Sequence, residues 1–444
     1  MRTLIAVLPV LAGCATTITS QHDYDAMLGE LRQSDRVRAD GDARIAAVVS
    51  AAQLDRRALI DAVLGANRDL EAMRQGFRAA LAEVSAAGEL DDPMASYELA
   101  PRSVGSSNAP FGQRIQLRQK LPWPGKRSLA KDAAVAEAAV MRGDLRAAQL
   151  EIATLASQLY DDAYLNARAL EVSDQHHALI EQTKKVAEAR MASGRGSTQD
   201  ALQAEVELGH LEHDRVMLET ERITITARIN GLLHRDPAAA LPPPPSELAM
   251  PSVPGTAASL AQHAIESRPQ RSAAEARIRA GETHVRIAER AYYPDFELMG
   301  SYDSMWDMPE HRWMVGVAID VPIQRSKRDA DADAARARLA QARAARDRTV
   351  DDIRVEVTRA HRELEEAIHV IHLYDARLLP AARAHVEAAL AGFTTGQNDF
   401  PAVISAEREL REIQLAAFRA HADAWRRQAA LDHAIGRVPG GDTR

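Results

Sequence analysis

One stretch of this chain occurs twice, and it limits the fold more than any other feature. Ala192 to Leu208 reads ASGRGSTQDALQAEVEL, and Thr394 to Leu410 reads TTGQNDFPAVISAEREL. Aligned without a gap, Gly194, Leu202, Ala204, Glu205, Glu207 and Leu208 meet Gly396, Ile404, Ala406, Glu407, Glu409 and Leu410. In each copy a helical pattern stops at a Gly-containing turn and a second one starts, which predicts two long helices joined at a tight tip. Arg235 and Pro237 match Arg437 and Pro439 in the same register. A period of about 200 residues is too long for a solenoid unit and predicts a duplicated half-molecule.

The segments around the tips support long packed helices. No proline interrupts Ser128 to Arg190, enough for a helix of about 90 Å at 1.5 Å per residue. In the second half Ile353, Val357, Ala360, Leu364, Ala367, Ile371, Tyr374 and Leu378 form a heptad seam, and Ile152, Ala156, Leu159, Ala163 and Leu170 hold matching places in the first. Leu211, Leu218, Ile225 and Leu232 repeat every seven residues after the first tip. Aromatic residues make up only 4% of the 444 positions, so coiled-coil packing is expected in place of large aromatic cores. A single helix with one packed face is expected through Leu54, Ile60, Val63, Leu64, Leu70, Met73 and Phe77, ended by Asp91, Asp92 and Pro93. The run LPPPPSELAMPSVP, from Leu241 to Pro254, reads as a stiff link between the halves.

Between Pro93 and Pro122 the period changes to two. Ile115, Leu117 and Leu121 alternate with Arg114, Gln116, Arg118 and Lys120, and Ala95, Tyr97 and Leu99 alternate with Ser96 and Glu98. The second half repeats this with Phe296, Leu298, Gly300 and Tyr302, then Trp313, Val315, Val317, Ile319 and Val321. Loop chemistry between the runs predicts two hairpins. They hold Trp123, Trp306 and Trp313, three of the four tryptophans, in the manner of a membrane-barrel girdle. Four strands cannot close a membrane barrel, which needs about eight. Either several chains share one barrel, or the hairpins are soluble caps on the helices.

The N-terminus, MRTLIAVLPVLAGC, has a basic start, a short apolar run and small residues before Cys14. It resembles a bacterial lipobox, which implies cleavage before Cys14 and acylation there, with Ala15 following the pattern for outer-membrane sorting. Cys14 is the only cysteine, so no intramolecular disulfide or multi-thiol site can form. Ala15 to about Asp40 is polar and reads as a tether. No apolar run reaches the ~20 residues of a spanning helix, so a bilayer crossing would fall to strands. A formal charge of −8 and the lack of any recognition motif argue against a nucleic-acid partner.

LPWPGKR at Leu121 to Arg127, AYYPDF at Ala291 to Phe296, VPIQRSKR at Val321 to Arg328 and the two Gly-centred tips together resemble the TolC-like outer-membrane efflux family, the WPGKR form being similar to its heavy-metal-efflux branch. The resemblance implies a homotrimer with a shared twelve-stranded outer-membrane β-barrel and a long α-helical periplasmic tunnel. It implies docking to a periplasmic adaptor protein and an inner-membrane pump, with adaptor contact at Gly194, Arg195 and Ser197 in one tip and Thr395 and Gly396 in the other. The fold class expected is mainly α, with two hairpins giving four strands per chain. The organisation expected is a signal peptide over 1–13, a first repeat over 14–237 (hairpin about 94–121, tip near 194), a linker over 238–255, a second repeat over 256–438 (hairpin about 295–322, tip near 396) and a tail over 439–444.

If the apolar strand face meets lipid, Arg114, Gln116, Arg118 and Lys120 face the lumen, and three copies would form a positive collar. Met305, Met308, His311 and Met314 are the best soft-ligand set, in a hairpin tip, and are weak candidates for a metal. His210 with His213 and His369 with His372 each lie three apart among charged residues, as on a solvated helix face. No nucleophile-base pair, phosphate loop or catalytic carboxylate pair occurs, so neither enzyme activity nor a cofactor is expected. The reading that emerges is a passive, lipid-anchored outer-membrane exit duct, for heavy-metal cations or for small organic molecules. The alternative from another class is a periplasmic coiled-coil scaffold lipoprotein.

Overall fold

The computed structural model describes residues 18–105, 107, 111–194 and 196–440. The signal segment, Cys14 and Arg195 lie outside the described residues, as does the tail from 441 onward.

Helix α1 spans Ile18–Ala39, so the polar segment expected as a tether is helical instead. Met27 and Leu31, four residues apart on one face, are both buried, and that apolar pair suffices to pin an otherwise polar helix. The single helix expected next is three: α2 Gly41–Ser50, α3 Arg56–Ala66 and α4 Arg68–Ala87. The breaks fall at capping residues. Asp55 accepts from the Ala58 amide at 2.7 Å, and the Asn67 side chain accepts from the amides of Asp69 and Leu70, each supplying donors at a helix start with an acceptor. Leu54, Ile60, Val63, Leu70 and Phe77 are buried, but Met73 of the same expected face is exposed.

Strands β1 Met94–Leu99 and β2 Gln113–Leu121 lead into α5 Lys126–Ala192, 67 residues long, and α6 Thr198–Leu232. Helices α7 Ala257–Ser267 and α8 Pro269–Arg290 precede β3 Asp295–Asp303, β4 Trp313–Asp320 and α9 Arg325–Leu373. The expected seam from Ile353 to Ile371 is buried, but it does not continue through Tyr374 and Leu378. There the helix opens into a π-helical turn, Tyr374–Leu378, just before Pro380, and resumes as α10 Leu379–Thr395; α11 Phe400–Ala434 follows the second tip. The four strands form one antiparallel sheet in the order β1-β2-β3-β4, so the two hairpins are joined through β2 and β3.

The chain forms two compact units. One comprises residues 18–32, Met73–Asp144 and Gln270–Thr349 and holds the sheet. Its helices pack closely: Gly143 lies so near Ala273 that any side chain there would collide with it. The other comprises Gln33–Ala72, Leu145–Pro269 and residues 350–440 and holds both tips. Its cores gather Leu59, Ile60 and Val63 of α3 against Ala156, Leu159, Ile225 and Ile229, and Ile353, Val357 and Leu364 against Leu431 and Ile435. Burial of each such aliphatic side chain contributes roughly 1.5–3 kcal/mol. The proline-rich link is packed, not free: Leu241 and Leu248 rest on the first of these cores, the Leu54 amide donates to the Pro243 carbonyl, and Trp425 Nε1 donates to the Ala249 carbonyl at 2.8 Å.

The duplication runs beyond the tips. Helices α6 and α11 have 35 residues each and start 202 positions apart. Their ends close alike: Leu233 N donates to Ile229 O and Arg235 N to Asn230 O, and Ile435 N donates to Leu431 O and Arg437 N to Asp432 O. The residue between is left-handed in both copies, Gly436 at φ 77 and His234 at φ 54. A Cβ is costly in that region, and His234 is exposed. His234→Gly is therefore expected to stabilise the helical unit by about 1 kcal/mol, read as a higher midpoint of thermal loss of helix signal. An unchanged or lower midpoint would mean that the imidazole contributes more than its backbone costs.

Candidate functional site: an amphipathic sheet and paired helical tips

Register assigns every strand residue to one of two sheet faces. On one face Tyr97, Ile115, Tyr302 and Trp313 form a row, followed by Ala95, Leu117, Gly300 and Val315, then Gln119, Leu298 and Val317, then Leu121, Phe296 and Ile319, with Leu99 and Gln113 at the far end. Apart from the two glutamines this face is apolar, and it is open to solvent in the single chain, with Val315 at 92% and Trp313 at 75% exposure. Both its ends are aromatic. Tyr302 and Trp313 meet at 5.0 Å, and Trp123 stacks on Tyr293 at 5.2 Å and on Phe296 at 5.7 Å. Tyr302 and Phe296 are six residues apart on β3, about 20 Å along the strand at ~3.4 Å per residue. Lys126 fixes the lower aromatic group by pairing with Asp295 at 2.8 Å, and the Trp123 amide donates to the same carboxylate oxygen.

The opposite face carries Arg114, Gln116, Arg118 and Lys120, and it is not the positive row that the sequence of β2 suggests. Arg114 pairs with Asp303 at 2.7 Å and Glu98 at 3.4 Å, Arg118 with Glu297 at 3.7 Å, and Lys120 stands opposite Glu297 in register. Gln116 Nε2 points to Met299 Sδ at 3.8 Å. Three cations thus meet three carboxylates from β1 and β3, and the expected collar is neutralised within the chain. The sheet has no partner along β1 or β4 among the described residues, so both edges present unpaired backbone groups.

Met314 lies opposite Ser301 on the polar face, the His311 ring packs edge-on against Trp306 at 5.9 Å, and Met305 and Met308 are exposed. His210, His213, His369 and His372 are all exposed. No group of three or more His, Cys, Asp or Glu among the described residues is placed to hold a metal ion.

At the tips Gly194 and Gly396 adopt φ 72 and φ 81, where only glycine is unstrained. Ser197 caps α6, completing a capping box with Asp200, and Asp399 takes the same place before α11, accepting from the Ala402 amide. Thr395 Oγ1 donates to the carbonyls of Ala391 and Gly392 at 3.1 Å. Gly194, Ser197, Thr395 and Gly396 are exposed. The two tips pack together through Ile180, Ala187, Ala204, Phe393, Phe400 and Ile404. Arg190 of α5 donates to the Phe393 carbonyl and lies 4.4 Å over its ring.

Sequence alignment missed the polar contacts behind the tips. It pairs Glu205 with Glu407 and Glu207 with Glu409, whereas the fold buries Glu207 and Glu407. Arg408 Nε donates to Glu207 at 2.9 Å and Arg411 to Asp214 at 2.8 Å, while His176 contacts Gln414 at 2.9 Å and Glu407 at 3.4 Å. The signal available was cross-copy complementarity, with arginines in the second tip helix and acids in the first. Helix α6 also carries a second seam, Leu202, Val206, Val216 and Ile223, with every member more than half exposed.

Residues 260–437 match the model of the family described as outer membrane efflux protein. Over 337 residues, 70% of this chain and 68% of the relative, the sequence is 26% identical to outer membrane protein OprJ of Pseudomonas aeruginosa. A crystal structure of a membrane protein from Pseudomonas aeruginosa superposes with a TM-score of 0.73 at 22% identity, covering 86% of this chain and 93% of that one. The structure of CusC, described in terms of folding and transmembrane channel formation, superposes with a TM-score of 0.73 at 18% identity, covering 88% and 93%. Residues 260–437 thus resemble the outer membrane efflux protein family, and the chain as a whole shares the fold of the membrane-protein structures on which it superposes.

Proposed function

We propose that the protein is the outer-membrane exit duct of a tripartite efflux system, built as a homotrimer. The observation that carries this reading is a four-stranded sheet with one exposed face that is apolar except for Gln113 and Gln119 of β2, and with two edges unpaired among the described residues. In the trimer β4 of each copy pairs with β1 of the next, which satisfies every edge and closes twelve strands. Apolar residues then meet lipid between two aromatic girdles, and Arg114, Gln116, Arg118 and Lys120 face the lumen beside their acidic partners. The exposed seam on α6 is suited to cover a neighbouring copy's helix in the periplasmic tunnel. The tips at Gly194, Arg195, Ser197, Thr395 and Gly396 meet a periplasmic adaptor protein, and an inner-membrane pump supplies the energy. Cys14 carries the lipid anchor.

For cargo, heavy-metal cations are the reading taken from the WPGKR junction, and small organic molecules are the alternative. By register the polar face carries five strand carboxylates (Glu98, Asp295, Glu297, Asp303 and Asp320) and three strand cations (Arg114, Arg118 and Lys120), an acidic excess compatible with cations. Deletion of the gene is expected to lower tolerance to metals such as copper, zinc or cadmium and leave tolerance to organic toxicants unchanged. The reverse pattern assigns the duct to organic molecules. Unchanged tolerance to both, in cells shown to express the protein beforehand, would count against export altogether.

A further inference from the structure

Where the sheet gives way to the helices, the first unit carries cations that its own carboxylates do not hold. Residues 291–293, which lead from α8 into β3, are clamped from two sides: Arg328 Nε donates to the Ala291 carbonyl at 2.8 Å, and Lys126 Nζ donates to the Tyr293 carbonyl at 3.0 Å. The clamp sets the Tyr293 ring against Trp123 and brings the Arg290 guanidinium, at the end of α8, to 5.3 Å from the centre of the same ring. Gly125 lies beside that guanidinium at φ 91, where a Cβ would come within 3.9 Å of it, so the bare backbone covers less of the cation than any side chain would.

Among the described residues Arg290 has no carboxylate partner, and neither do Arg325 and Lys327 in the exposed first turn of α9. The acids around them are engaged or set apart. Asp295 is held by Lys126, Asp329 by the Tyr292 hydroxyl and Glu289 by Arg336 at 3.4 Å. Asp320 belongs to the polar face, Asp331 lies a turn further along α9, and Asp91 and Asp92 precede β1 at the far edge of the sheet. On the apolar side, Val321 and Ile323 are both exposed and prolong the alternation of β4 past its end, directly before Arg325. The order along this surface is thus an apolar band, an aromatic group and then open cations.

We propose that Arg290, Arg325 and Lys327 bind the phosphate of an anionic phospholipid in the leaflet nearer the helices. This rests on the reading that the apolar face meets lipid. A guanidinium offers parallel donors to phosphate oxygens, and the ring beneath Arg290 orients it. Tyr293 and Trp123 are suited to the headgroup level, where an apolar ring body and a polar edge are both satisfied. A net negative headgroup is preferred over a zwitterionic one by about fivefold per cation near the membrane surface.

The test uses full-length protein purified in neutral detergent and mixed with equal amounts of phosphatidylglycerol and phosphatidylcholine, the lipids retained on the intact assembly being counted by native mass spectrometry. Phosphatidylglycerol is expected to be retained at least about tenfold more. Combining Arg290→Gln, Arg325→Gln and Lys327→Gln should bring the two lipids to within about twofold, with the mass of the protein assembly unchanged. Equal retention by the unaltered protein would overturn the proposal, and so would a variant that keeps the full preference. Should the variant fail to assemble, salt decides: raising ammonium acetate about tenfold should shrink the preference of the unaltered protein, and a preference indifferent to salt overturns the proposal. Conductance steps in phosphatidylcholine alone, together with equal retention of the two lipids, would keep the duct and remove only this inference. Silence in every bilayer would remove both.

Discussion

Val317→Arg is expected to remove the protein from the outer membrane. Val317 lies on β4 opposite Leu298, between Val315 and Ile319 on the apolar face, and is well exposed in the single chain. If that face meets lipid, a guanidinium near the bilayer midplane costs about 2–4 kcal/mol per copy, and three copies in one barrel multiply the cost. Ser301→Arg is the matched control, since Ser301 sits in the same sheet on the polar face. Membrane fractions should show the first variant lost or degraded and the second retained. Under the scaffold alternative the face meets no lipid, and the two variants should behave alike.

The second large effect is expected at Arg56. Its guanidinium donates to Ser157 Oγ at 2.8 Å and to both oxygens of Asp161, and lies between the rings of Tyr160 at 4.4 Å and Trp425 at 4.6 Å. Asp161 is fully buried, and α3, α5 and α11 are joined through this one side chain. Arg56→Ala leaves a buried carboxylate without its cation, a change that costs about 3–5 kcal/mol. The pH dependence has a defined sign. Burial pushes Asp161 up to about 6, against the pull of Arg56, from an unfolded value of 3.8. A carboxylate whose folded pKa is raised is favoured in its protonated form, so its ionisation removes stability as pH rises through that window. The loss in Arg56→Ala should therefore be smallest near pH 5 and grow as pH rises through and beyond about 6, measured as thermal midpoints of the helix signal across pH. Arg56→Lys should recover little, because an ammonium can neither pair bidentately nor stack. Arg56→Met combined with Asp161→Leu should recover most of the loss.

Much of this architecture is legible in the amino-acid order because it rests on short periods. The two-residue alternation of Ile115 and Leu117, and of Val315, Val317 and Ile319, places side chains on sheet faces without knowledge of the neighbours. The glycine tips announce themselves because φ near +75° admits few other residues. What escaped depends on the partner or on a subtler signal. Asp55 and Asn67 look like ordinary members of a helical run until their side chains are seen capping new ones. The charge of the β2 face cannot be judged from β2, since Glu297 and Asp303 arrive from a strand some 180 positions later, set by register.

Planar-bilayer recording of the purified mature protein tests the central claim most directly, with the mass of the same sample measured in detergent. A duct made from shared sheets predicts a particle of three copies that inserts in discrete conductance steps. A well-folded, water-soluble single copy that leaves the bilayer silent would contradict it.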